Sequence, residues 1–473
     1  MSDSLTKKKK EIDFTNGPIL GPLMKFMLPI LAALAIQSLY GAVDLLIVGQ
    51  FGSAANVSSV AIGSQLIWIF TSIAADIAMG TTVLLGRFIG EGRKKDSGDI
   101  IGTSIILFSI IAIILMATLL IFAPQFLILM QAPAEAVEQG IAYTRICAAG
   151  MIFIVAYNVI GAVFRGIGDS KTPLIAVAIA CAINLGGDLL LVGVFNMEAA
   201  GAAIATIFSQ GISVVISIIF VRKKGLPFSF GKENIKYNKN YVLSIIKIGL
   251  PLALSNMVVT CSFAVMGAIC NSLGLAESAG AGVGGKLITF IMLVPCAFMQ
   301  SLAAFVAHNI GAKKLKRAKR ALLHAIWLSL AFSCIMFYFS GINGTLITRI
   351  FTTDPAVMEQ AALYLKAYAI DTFLTSFLFC FIGYFNGCGK TSITMIQGLL
   401  GVAVRIPVAL LFLNLPDTSI FIIALATPIS TVCQVTLCVI YYLVTNKKLM
   451  NMYDSEHNPE LLSASSNDNS ALS

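Results

Sequence analysis

Charge is scarce in this chain: 12% of its 473 residues are Asp, Glu, Lys or Arg, whereas 58% are hydrophobic and the mean hydropathy is +0.89. A soluble domain carries about 25% charged residues, so the composition excludes a water-soluble body. Apolar runs of about 20 residues, the length that crosses a bilayer, recur from Leu28 to Val444 and leave no room for a sizeable soluble domain. Histidine is scarcer still. His308, His324 and His457 have no metal-site spacing; the first two lie near a basic loop and the third in a polar tail, where solvated roles are expected. The 10 cysteines contain no CxxC pair and fall mostly inside apolar runs, as at Cys147, Cys181, Cys261, Cys270, Cys334, Cys380 and Cys438, which suits small hydrophobic thiols rather than a disulfide or metal framework. No nucleophile-and-base pattern is present, and "GCGKT" at Gly387 lacks the full phosphate-loop pattern. An enzyme and an ATP-driven pump are therefore excluded, no cofactor is expected, and energy must come from an ion gradient if transport is not passive. A signal peptide is not expected either, since the first apolar run continues beyond a core of about 7–15 residues.

What is present is a repeated alternation of apolar spans and short polar loops. Twelve spans read at about 24–48, 57–80, 100–123, 142–163, 172–194, 199–221, 241–270, 280–305, 321–342, 360–384, 392–413 and 420–444. The excess of 32 Lys+Arg over 23 Asp+Glu is concentrated on one side of them, in Lys7 to Lys10, Arg87 to Lys95, Arg222 to Lys224, Lys313 to Arg320 and Lys447 to Lys448. The opposite loops hold Glu135, Glu138, Glu198, Glu277, Asp354, Glu359 and Asp417, with Arg349 as their one clear base. The positive-inside rule then places both termini in the cytoplasm. Bases so placed meet anionic head groups of membrane lipid, and no folded basic face for nucleic acid is evident. The expected division is a tail over 1–23, a six-helix bundle over 24–221, a linker over 222–240, a second six-helix bundle over 241–444 and a polar tail over 445–473.

The two halves repeat. Pro29 matches Pro251 and Gly52 matches Gly274 at an offset of 222, Tyr143 matches Tyr364 at 221, and "FRGIGDSKT" from Phe164 matches "FNGCGKT" from Phe385 with two residues missing. Six spans per half make the repeats parallel, related by an axis along the membrane normal. Gly225, Pro227 and Gly231 make the join irregular, so it reads as a tether between bundles that rock to give alternating access.

Ionisable residues inside spans are costly and usually face a cavity or a partner. Asp44, Asp76, Asp188 and Asp371 are such residues. Asn184 and Asp188 stand four apart, on one helix face, with Gly186 and Gly187 between them permitting a bend or a close helix approach. With Asp44 opposite, they would offer two carboxylates and an amide oxygen to sodium, or a carboxyl group to a proton. Asp76 and Asp371 are secondary candidates, Asp371 being placed near the hydrated outer surface. Gln37, Tyr40, Met79, Tyr157, Asn158, Asn256, Met257, Met292 and Gln300 could line a cavity for a flat, partly apolar molecule. Pro29, Pro251 and Pro295 interrupt helical runs, as static kinks or as hinges.

The motifs "MLPILAAL", "YGAVDLLIVGQFG", "LLGRFIGEGRKKDS", "VFRGIGDSKTP" and "INLGGDLLLVGVFNMEAAGAAIAT", followed by "IKIGLPLALSN" and "GYFNGCGKT", resemble the multidrug and toxic compound extrusion (MATE) family over about residues 15 to 445. Within it the chain looks closest to the bacterial DNA-damage-inducible-type branch. The resemblance implies an all-α polytopic membrane protein with twelve transmembrane helices in two pseudo-symmetric six-helix bundles, working as a monomer in the bacterial inner (plasma) membrane. It implies export of organic cations or other amphipathic compounds against inward sodium or proton movement, with the branch's acidic site falling on Asp44, Asn184 and Asp188. The alternatives are a flippase for lipid-linked saccharide or lipid and a narrow-specificity metabolite exporter. Lys286, Arg405, Arg145 and Lys366, the bases inside spans, are few for a flippase cleft.

Overall fold

The computed structural model describes residues 12–457. The basic run Lys7 to Lys10, residues 458–473, and the side chains of Lys447, Lys448 and His457 lie outside the described residues. Among those described, the chain is helical throughout: α1 Leu20–Phe51, α2 Ala54–Gly90, α3 Lys94–Leu129, α4 Ala134–Ala149, α5 Met151–Gly166, α6 Lys171–Asp188, α7 Glu198–Lys224, α8 Lys239–Asn271, α9 Leu275–Ile291, α10 Leu293–Gly311, α11 Leu315–Phe337, α12 Gly344–Thr348, α13 Pro355–Gly387, α14 Thr391–Leu413, α15 Ile420–Ala424 and α16 Ala426–His457. Eleven spans are long and apolar enough to cross a membrane, and α4 with α5, bent by 54° at Gly150, makes up to 12. Local signals start several helices. Ser53 accepts from Asn56 N ahead of α2, and Asp354 accepts from Ala356 N and Val357 N ahead of α13, whose first residue is Pro355.

Pro29 and Pro251 sit inside α1 and α8, which continue through them, and Pro295 follows the short break at Met292. Neighbouring helices can re-satisfy the freed backbone groups. A bend of 54° lies at Gly150, and a π-helical turn, Leu189–Val194, begins directly after Asp188. The linker is no free tether. Asn234 Nδ2 donates to Asp99 Oδ1 (2.7 Å), Thr103 Oγ1 donates to Lys236 O (3.1 Å), and Phe228 is buried in the first-half core.

The repeat is visible in the packing. Gly63 lies against Tyr143 and Gly284 against Tyr364; Gly166 lies on Thr82 and Leu85, and Gly387 on Ala303 and Val306, each pair related by 221 positions. The same relation joins the halves to each other. Gly90 of α2 abuts the His308 carbonyl of α10, and Gly311 of α10, its counterpart, abuts the Arg87 carbonyl of α2. The pseudo-two-fold axis therefore passes between α2 and α10. On either side of it the halves exchange their first helices. Leu23, Phe26, Met27 and Ile30 of α1 belong to the core of the second half, and Val242, Ile245 and Ala253 of α8 to that of the first.

These contacts gather at the end of the molecule that carries the basic loops. Gly80 lies against Ile245, Gly249 against Ile77, and Arg87 Nη2 donates to Cys388 O (3.0 Å). The halves are thus closed together at the basic end.

Candidate functional site in the first half

The acids of α1 and α6 come together. Asp44 is 5% exposed, Asn184 1% and Asp188 0%. The helices place them there through the four-residue spacing on α6 and through Gly187, which lets α6 approach Ala205 of α7, while Gly186 faces open space. The two carboxyl groups lie against each other. The Asn184 amide satisfies its neighbours with its nitrogen towards the acids. Nδ2 then donates to Asp44 Oδ1 (2.8 Å) and Asp188 Oδ2 (3.3 Å), and Oδ1 accepts from Tyr40 OH (3.2 Å). Turned over, the amide brings its oxygen to the same two carboxylates, so that three side-chain oxygens converge.

Asp188 Oδ1 has no partner, and the Thr206 hydroxyl stands beside Asp44 and Tyr40 without a formed bond. No ion pair with Lys or Arg reaches Asp44 or Asp188 among the described residues. Two buried carboxylates in contact repel each other, so a proton or a cation has to sit between them. Among the described residues no three His, Cys, Asp or Glu side chains form a metal cluster, so any cation here would have two carboxylates and an amide as ligands.

The other sequence-predicted residues are dispersed. Tyr40 OH pairs with Ser209 Oγ (3.3 Å), which puts these two of α1 and α7 beside the acids, while Gln37 Nε2 donates to Tyr157 OH (3.2 Å) in a separate pair between α1 and α5. Asn158 donates to Ile154 O of its own helix (2.9 Å). Met79 is buried with Val83, Ile248, Leu252, Ala303 and Ala307, in the closed contact between the halves. Asp76 accepts from Asn256 Nδ2 (2.9 Å), a bond from α2 to α8 that joins one half to the other. Met257 is exposed, while Met292, at the break before α10, and Gln300 are half-buried. Asp371 departs from its expected hydrated position: it is 2% exposed, because α13 runs continuously for 33 residues with Asp371 at its middle. His308 departs too. It is buried against Phe14, its ring 5.0 Å from the phenyl ring, whereas His324 is exposed. Thr206 and Ser209 were missed, although their three-residue spacing on an apolar helix puts them on one face.

The family model MatE matches residues 29–190 and 251–411, one block in each half and together well over half of the chain. The chain belongs to the MatE family. The probable multidrug resistance protein YpnP of Bacillus subtilis (strain 168) is 28% identical over 395 residues, which cover 83% of this chain and 86% of that one. An FAD transporter of Shewanella oneidensis is 26% identical over 74% of this chain and 78% of its own length. A solved transporter of the MOP superfamily from Pyrococcus furiosus, whose description reports a binding pocket of reverse polarity, superposes with a TM-score of 0.88 at 18% identity, over 93% of this chain and 99% of that one. This MatE chain therefore has the two-bundle, all-α membrane fold of its relatives, and is a secondary transporter of the multidrug-export type rather than an enzyme. As a MatE protein it spans the membrane several times.

Proposed function

We propose that the protein is an antiporter that exports organic cations or other amphipathic compounds in exchange for sodium ions or protons. The observation that carries this reading is the buried convergence of Asp44, Asp188 and Asn184 with no base beside them. An intramembrane pair of carboxyl groups that must be neutralised binds a cation reversibly when the site reaches water and resists exposure when it does not. Tyr40 bonds Asn184 of that site, and the Gln37–Tyr157 pair lies further along α1, where an amphipathic substrate would lie. The moving units are the bundles 24–221 and 241–444, with 222–240 between them.

The first-bundle acids support reading the chain as a member of the DNA-damage-inducible-type branch. In this reading both termini lie in the cytoplasm of a bacterial cell, as the charge of the loops favours, with the protein a monomer in the inner membrane and membrane lipid as its surroundings. A second reading, a narrow-specificity metabolite exporter, is favoured by the FAD transporter among the relatives. Both readings share the coupling site.

The test is efflux of a fluorescent organic cation from proteoliposomes under a sodium gradient or a pH gradient, imposed separately at fixed membrane potential. One gradient is expected to drive efflux, and Asp188→Asn to abolish it while the protein stays folded. Coupled efflux by that variant at the wild-type rate would remove the acid from the mechanism. Efflux of flavin compounds alone would favour the second reading.

A further inference from the structure

The second half buries a base and an acid, Arg405 and Asp371, whereas the first half buries the two acids Asp44 and Asp188. Tyr40 of α1 corresponds to Ser262 of α8 at the offset of 222 that relates Pro29 to Pro251. In the first half Tyr40 OH meets Asn184 of α6 (3.2 Å). In the second, Ser262 Oγ accepts from Nη1 of Arg405 on α14 (2.8 Å), so a guanidinium occupies the α8–α14 contact that corresponds to the Tyr40–Asn184 contact of α1 and α6. By the same offset Met266 takes the place of Asp44, and it is wholly buried in an apolar cluster. By the match of "FRGIGDSKT" with "FNGCGKT", two residues shorter, Asn184 and Asp188 correspond to Ala403 and Pro407, so the second half has neither acid of the first-half site, and Arg405 reaches this contact from a neighbouring position on α14.

Arg405 is 4% exposed, with its guanidinium carbon 4.3 Å from the centre of the Phe263 ring. A buried guanidinium needs a counter-charge, because the desolvation penalty is several kcal/mol per ion. The charged and titratable groups facing Arg405 are Tyr364, Tyr368 and Asp371, all on α13; Cys270 of α8 lies beyond them beside Tyr364. Asp371 is faced by Arg405 from α14, by the neutral Thr431 of α16 and by Tyr368 of its own helix. The two charges do not form an ion pair within 4 Å; Asp371 Oδ1 and Arg405 Nε both lack a hydrogen-bond partner. The hydroxyl groups between the helices are tied to one another: Tyr364 OH donates to Tyr368 OH (3.3 Å), which pairs with Thr427 Oγ1 (3.2 Å).

We propose that Arg405 is a built-in cation for the second half. It neutralises the buried Asp371, so that the second half takes up no exchangeable sodium ion or proton. The inference goes beyond the proposed function and stands on the second half alone. It holds whether or not the first-half acids drive export.

The test uses the purified full-length protein in detergent or lipid, and reads thermal stability rather than transport. Asp371→Asn and Arg405→Gln each strand one buried charge, and each is expected to lower the melting temperature by about 5–10 °C. The double variant, which removes both charges, should recover most of that loss. Replacing choline chloride with sodium chloride, or lowering the pH, should raise the melting temperature of Arg405→Gln by more than that of wild type, because Asp371 then takes its cation from solution. Wild type and Asp371→Asn should respond alike, any shared response belonging to the first half. If Asp371→Asn folds but loses a sodium or proton response that wild type has, Asp371 binds an exchangeable cation and the proposal is overturned. Equal loss in the double and single variants, or no added cation response in Arg405→Gln, overturns it as well.

Discussion

Asn184 has a different task from the two acids it joins. A carboxyl pair alone offers four oxygens and a strong repulsion, whereas the amide can present either a donor or an acceptor to the same point. With its nitrogen inward it stabilises the pair without a cation; with its oxygen inward it completes a ligand set of three residues. Asn184→Ala removes both options while keeping Asp44 and Asp188. Loss of one hydrogen bond to a charged group costs about 1.5–3 kcal/mol, so the half-saturating concentration of the driving ion should rise about tenfold or more. Maximal efflux should fall less than in Asp188→Asn. The check is initial efflux rate against sodium concentration or pH in proteoliposomes; an unchanged half-saturation would remove Asn184 from the ligand set. The acids and the amide were legible because the four-residue spacing on a helix fixes a common face. The burial of Asp371 and the position of Met79 were not, since hydropathy reports that a residue lies within a span but not which way it points when the helix is apolar all round.

The element scale shows why the helix axes meet so closely on the basic side. A β-carbon at Gly90 would run into the His308 carbonyl, and one at Gly311 into the Arg87 carbonyl, so these two glycines let α2 and α10 cross backbone to backbone. Gly90→Val and Gly311→Val should therefore act alike, as their symmetry requires. Overpacking costs about 1–3 kcal/mol, which biases the bundles about fivefold or more against the closed arrangement. Pulsed electron resonance between spin labels on the basic ends of the two halves should show the population shifted to longer distances in both variants. A response in only one of them would contradict the pseudo-symmetric contact. Twelve spans could be read in advance because each needs a long apolar run. The bend at Gly150 and the π-helical turn after Asp188 could not, because both arise from how α4, α5, α6 and α7 fit together: Gly150 packs on Ile207, and an isolated glycine in a helix carries no mark of direction.

At the scale of the whole molecule, the residues just before α1 fasten the first helix to the second half. Phe14, 2% exposed, fills a pocket with ring centres of Phe26 at 5.0 Å, Phe305 at 5.2 Å and His308 at 5.0 Å. Arg317 donates to the carbonyls of Phe14 (2.9 Å), Gly17 (2.6 Å), Asn16 (3.0 Å) and Pro18 (3.2 Å), and Lys314 Nζ to Thr15 O (2.9 Å) and Asn16 Oδ1 (2.7 Å). Asn309 Nδ2 adds a bond to Phe14 O (3.0 Å). The turn holds its shape through Asp13. Burial pushes that carboxyl up, but donors on Asn16 and Thr15 outweigh it and bring it from 3.8 down to about 2. A depressed carboxyl contributes its stability above the unfolded value and loses it only as pH falls through the folded one, here from 3.8 towards about 2. The strap therefore stays fastened throughout the pH range of a gradient-driven transport assay. Phe14→Ala empties the pocket at a cost of about 3–5 kcal/mol, with the bundle cores away from it intact. It should speed backbone hydrogen exchange at residues 305–317 and move the population away from closure at the basic end, equally at about pH 6 and about pH 8 because the Asp13 turn does not titrate there. Exchange rates that match wild type would show that α2 and α10 hold the closed state without the strap, whereas an effect confined to the lower pH would place the sensitivity in a group other than Asp13.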